Sequence, residues 1–298
     1  MCEKTPHVVP CRLPYSRAVL RRLFHARIGI LRGEGGCGAV IAIALGLSGF
    51  AGCSGEEAAR VSVPVRVDAR DLQPLETDRG YRVELSEARL VARDLRFAVA
   101  GEEHASSGLL DWLVPKAYAH PGHYVGGDVT GELLGQFVTS WLPEAQAPLG
   151  LATLLEGEYR SASFAFGRAT ASLGLATTDP LVGHSAVLRG SATRSGIRRA
   201  FLAVLDISPE YAPVGMPFAA GVSAEAPLAI GFELLPREPL EQGTLFDGID
   251  FARLPTDADG VVTLSPASLD AALIGAYERL SEALRSPGHF RMQGLAPE

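Results

Sequence analysis

The sequence predicts a mainly β protein, an antiparallel β-sandwich closed by one C-terminal amphipathic helix. Three observations predict it. Glycine (33) and proline (20) are abundant while aromatic residues stay at 7%, which favours short strands joined by turns over a helical bundle. Several segments alternate apolar and polar residues at period two, as half-buried strands do. One stretch near the C-terminus carries its leucines at spacings of three and four, the signature of a single buried helix face.

Taken in order, Val61–Asp68 (VSVPVRVD) alternates and reads as a strand that Pro64 confines to a sheet edge. Tyr81–Leu85 and Ala88–Val99 read as two further strands, with Val83, Leu85, Leu90, Leu95, Phe97 and Val99 facing the core. Gly101–Val125 breaks the pattern with prolines and glycines and reads as a long excursion. Strands follow at Tyr159–Phe166, Ser185–Ala192, Arg199–Leu205, Leu228–Leu235 and Val261–Leu264. Turns fall at Gly167, Asp179-Pro180, Ser195-Gly196, Pro213 and Asp259-Gly260. Pro266–Leu284 is the predicted helix, with Ser265 as N-cap and Leu269, Leu273, Tyr277, Leu280 and Leu284 as its buried stripe.

Residues 1–52 have a different character. Arg21, Arg22, Arg27 and Arg32 precede the apolar run Ala39–Phe50, and small residues follow it, which is the order of an export leader. The run is too short to span a bilayer. Residues 1–28 are long for a leader and suggest an N-terminal extension from a misassigned start codon. Ala51-Gly52-Cys53 resembles the end of a bacterial lipobox, with Phe50 where that family usually has leucine. The resemblance implies that Cys53 becomes the diacylglyceryl-modified N-terminus, that 53–60 is a lipidated tether, and that 61–298 is one domain. Ser54 follows the cysteine where an aspartate marks inner-membrane retention in many Gram-negative bacteria. By the same resemblance the address is the outer membrane.

Charge and thiol content narrow the function classes. From Cys53 onward the chain has 20 basic and 32 acidic residues, a balance that disfavours nucleic acid as a partner. All four cysteines lie at or before position 53, so the exported part has no disulfide, cysteine nucleophile or cysteine–metal site. No G-x-S-x-G elbow, phosphate-binding loop or H-E-x-x-H motif occurs, and the expected role is not enzymatic.

The candidate site is a histidine loop. His120-Pro121-Gly122-His123 puts two imidazoles three residues apart on a chain-reversing turn, where both rings can face one copper or zinc ion. His184, His104, Asp128 and Glu132 are candidates for a third ligand, of which His184 is preferred. Asp257-Ala258-Asp259-Gly260 has the start of a calcium loop but reads as a turn. Trp112 and Trp141, each among leucines, read as core rather than as sugar platforms.

Asp94-Leu95-Arg96-Phe97 before a strand end, with a histidine-bearing loop downstream, resembles the MbnP-like family of periplasmic copper-binding β-sandwich proteins. That resemblance implies a copper-binding sandwich, although the family's cysteines have no counterpart after Cys53. Two expectations result. The first is a lipid-anchored envelope protein binding a transition metal through His120, His123 and His184. The second is an envelope lipoprotein with no small ligand that docks another envelope protein.

Overall fold

A computed structural model describes residues 59–99, 129–145, 147–210 and 212–296. The leader, Cys53, His104, His120, His123, Asp128 and Trp112 lie outside the described residues. The elements are β1 (Arg60–Asp68), β2 (Leu75–Glu76), β3 (Arg82–Val99), β4 (Val129–Leu142), β5 (Gly150–Leu155), β6 (Gly157–Phe166), β7 (Ala186–Arg194), β8 (Ile197–Leu205), β9 (Val214–Val222), β10 (Ala229–Leu234), β11 (Val261–Leu264), α1 (Ala271–Arg285) and β12 (Phe290–Leu295). Single 3₁₀ turns at Ala171–Leu173 and Pro287–His289 complete the set.

The strands form one large, sandwich-like sheet in the order β11-β8-β7-β3-β4-β5-β1-β10-β12-β9-β6. Its organiser is β3, 18 residues long. One edge of β3 pairs with β4 along most of its length, while the other pairs with β7 from Arg82 to Leu90 and with β6 from Ala92 to Val99. The β6 pairing brings the far end of the sheet back onto β3 and encloses the core.

The sequence divides β3 into two strands, and the structure joins them. Register shifts between Leu85 and Glu87 and between Arg93 and Leu95 absorb the breaks in alternation. Asp94 takes the positive φ of 52° that the second shift needs, and its carboxylate accepts the Gly135 N–H at 3.1 Å.

The sheet is mixed rather than purely antiparallel. Among the described residues, β1–β10, β8–β11 and β9–β12 run parallel. The partners in each parallel pair are far apart in the chain, so no hairpin dictates their direction. Pro64 is also not on an outer edge, because β1 lies between β5 and β10. The β5 ladder covers Arg60–Val65 and the β10 ladder begins at Val65, so at Pro64 only one side of β1 is paired. That local gap accommodates a residue with no N–H to donate.

Among the described residues three aromatic groups fill the core, the smallest being Phe97, Tyr159 and Phe218. Trp141 packs edge-on against Phe232, with their ring centroids 5.2 Å apart, and Phe164 and Phe290 extend the group. Tyr81, Phe201, Phe246 and Phe251 form the second. Each fully buried phenylalanine contributes on the order of 2–3 kcal/mol of hydrophobic stabilisation. The Trp141 indole N–H donates to Phe232 O at 2.8 Å, so its polar edge is satisfied in the interior.

Helix α1 packs against β8 and β11, but it begins at Ala271, not Pro266. Asp270 is the N-cap, and its carboxylate accepts the N–H groups of Ala272 and Leu273 at 2.8 and 3.2 Å. Leu269 therefore precedes the helix and is 95% exposed, whereas Leu280 and Leu284 are buried. No helix among the described residues is long and apolar enough to cross a membrane.

Candidate functional site

His184 sits just before β7, and its backbone is clamped from both sides. The His184 N–H donates to Leu181 O and its carbonyl accepts from Ala169 N–H, both at 2.9 Å. Ser185, next in the chain, donates its N–H to Leu205 O, and its hydroxyl both donates to and accepts from the Ile207 backbone. These bonds tie the start of β7 to the end of β8 and set His184 beside Asp206, which follows β8.

Nδ1 of His184 lies 2.8 Å from Oδ1 of Asp206. A carboxylate can only accept, so Nδ1 is the donor and an uncharged ring carries its lone pair on Nε2. Asp206 is itself positioned: Tyr277 Oη accepts its N–H at 3.1 Å and donates to its carbonyl at 3.4 Å. Arg168 donates from Nη1 to Gly183 O at 2.9 Å and to Asp206 Oδ2 at 3.3 Å. The imidazole is about one-third exposed, so a ring fixed in tautomer and orientation borders solvent. Asp206, and not the imidazole, lines a cleft of about 260 Å³ between Asp206–Ser208 and the Tyr277, Ser281 and Arg285 face of α1.

Carboxylate-to-imidazole bonding of this kind orients metal-ligating histidines and raises their basicity. Among the described residues, no group of three His, Cys, Asp or Glu side chains could hold a metal ion. Glu132 does not join His184. It stands opposite Arg96 on β3, five residues beyond Val91, whose N–H bonds Ser185 O, a separation of about 16 Å along the strand. Whether His120 and His123 join His184 lies outside the described residues.

Two other sequence candidates resolve into structural roles. Asp257 accepts the N–H groups of Asp259 and Val261 at 3.0 and 2.9 Å, an Asx turn that uses the carboxylate internally. Trp141 is core.

A second polar cluster carries no sequence signal that singled it out. Ser286-Pro287-Gly288-His289 forms a turn after α1, with His289 buried and its Nδ1 donating to Leu235 O at 2.8 Å. The side chains at the first and fourth positions converge: the Ser286 hydroxyl bonds Oε1 of Glu238, and His289 Nε2 lies 3.7 Å from the same oxygen. Burial holds the His289 pKa below its ordinary value, against the opposing fields of Glu238 and Asp247.

No protein-family model matches the chain, and no curated protein or solved structure matches it either.

Proposed function

We propose that the chain is an exported lipoprotein, anchored through Cys53 at the outer membrane, that binds a copper or zinc ion through His184, His120 and His123. The observation that carries the reading is the 2.8 Å bond from His184 Nδ1 to Asp206, which orients a partly exposed ring and leaves Nε2 outside that bond.

The Pro-Gly turn at Ser286–His289 supplies a physical precedent for the other two ligands. It has the same Pro-Gly centre as His120-Pro121-Gly122-His123, and its first and fourth side chains meet at one carboxylate oxygen. Chain length sets the remaining condition. Val129 stands opposite Ala98, and Ala98 is seven residues, or about 23 Å, along β3 from Val91 beside the His184 turn. His120 and His123 precede Val129 by nine and six positions, about 30 and 20 Å of extended chain. The chain lengths and the distance along β3 are of the same order, so reach allows the convergence that the reading needs.

Elemental analysis of the purified protein tests the reading. One equivalent of copper or zinc is expected, with loss in each of His120→Ala, His123→Ala and His184→Ala. A metal content near zero, or one insensitive to all three substitutions, would refute it and leave the ligand-free interaction reading.

A further inference from the structure

The outer face of the sheet around β5 carries apolar side chains that the core does not use. Leu134 on β4 and Leu151 on β5 are 58% and 64% exposed. Both line one open groove of about 560 Å³, together with Val129 and Arg60. Strand register explains why they gather. Glu132 stands opposite Thr153, Thr153 opposite Ser62, and Leu151 opposite Pro64. Alternate residues of a strand share a face, so Leu134 and Leu151 lie on the same outer surface as Glu132 and Thr153, one row further on.

The chain enters the fold at this surface. Arg60, the first residue of β1, lines the groove and lies seven positions after Cys53, about 25 Å at full extension. Pro64, opposite Leu151, is four residues from Arg60, about 13 Å along β1. An acyl group on Cys53 therefore holds the groove within a short radius of lipid headgroups. A diacylglyceryl group carries two acyl chains and anchors by itself, so a protein contact would set how the fold rests on the bilayer rather than whether it stays there.

We infer that this outer face of β4, β5 and β1 lies on the bilayer, with Leu134 and Leu151 entering the boundary between headgroups and acyl chains and Arg60 meeting lipid phosphate. The inference rests on the reading of Cys53 as acylated. Glu132, exposed on the same face, limits the contact to headgroup depth.

Spin labelling tests the inference on the full chain, expressed with its leader and reconstituted in phosphatidylethanolamine–phosphatidylglycerol vesicles. Removal of the leader with Cys2, Cys11 and Cys37, and acylation of Cys53, leave no free thiol, so in the processed protein Leu134→Cys, Leu151→Cys and Ile197→Cys each provide a unique nitroxide site. Ile197, 61% exposed at the β7–β8 hairpin, is the control. Labels at 134 and 151 are expected to lose collisions with a water-soluble nickel chelate and to keep those with oxygen, while the label at 197 keeps both. Three labels with equal accessibility on a protein whose mass shows the acyl group overturn the inference and leave the anchor standing. Labels at 134 and 151 shielded from both reagents before vesicles are added show that protein rather than lipid covers the face, which also overturns it. Absence of the acyl mass ends the anchor and the inference together.

Discussion

His289 Nε2 and the Ser286 hydroxyl meet at the same oxygen of Glu238, at opposite ends of one Pro-Gly turn. Because His289 Nδ1 donates to Leu235 O, an uncharged ring turns its lone pair towards the carboxylate. Burial keeps the pKa of this ring below 6.5 in the fold, while the unfolded chain restores the ordinary value. The unfolded state then binds more protons in that range, so the contribution is complete above pH 6.5 and is lost as pH falls towards the depressed folded value. Denaturant unfolding should show stability dropping from pH 7.5 to 5. In His289→Asn that part of the slope should disappear, and an unchanged slope would contradict the assignment.

Glu233 and Arg291 form the opposite case. Burial raises the Glu233 pKa and its Arg291 partner pulls it down, with Glu233 only 1% exposed. Arg291→Met leaves a buried carboxylate with its main countercharge gone and should cost roughly 3 kcal/mol at pH 7. A raised carboxyl pKa favours the fold at low pH and loses that contribution as pH rises. The deficit of Arg291→Met should therefore shrink towards pH 5. A deficit that is independent of pH would place the loss in packing instead.

Gly190 marks the first irregularity of β3. A Cβ there would lie 2.2 Å from Glu84 O and 3.0 Å from Leu85 Cα, both backbone atoms with little room to move. Gly190→Ala should destabilise by about 3 kcal/mol. Gly275→Ala in α1 should instead stabilise by about 0.5–1 kcal/mol, since its nearest neighbour would be Arg279 Nη1 at 3.6 Å. Thermal unfolding of the two variants checks the contrast.

The start of α1 can be tested in the same way. Asp270→Ala removes the carboxylate that accepts two N–H groups and should cost about 1 kcal/mol, whereas Ser265→Ala should cost clearly less. Equal losses would move the helix start back to Ser265.

Strands with clean alternation and marked turns were legible: β11 falls on Val261–Leu264 as expected, and β6, β7, β8 and β10 lie within two residues of their predicted bounds. Others lacked the signal for identifiable reasons. In β4, Gly131 and Gly135 interrupt the pattern and Leu134 is an apolar residue on the outer face. In β9, Gly215 and Pro217 interrupt the alternation, and Gly215 takes a positive φ of 80° inside the strand. Pro266 drew the helix start forward because proline suits a first turn, but the capping carboxylate is four residues later. At the candidate site the sequence singles out His184 but not its partner. Asp206 is 22 residues away, and only the β7–β8 pairing that aligns Ala186 with Leu205 brings the two together.

X-ray absorption at the metal edge of the zinc-loaded protein tests the central claim most directly. Three imidazole nitrogens at about 2.0–2.1 Å are predicted, with one imidazole fewer in His184→Ala. An imidazole count unchanged by that substitution would show that His184 does not bind the metal, and that its bond to Asp206 serves the fold alone.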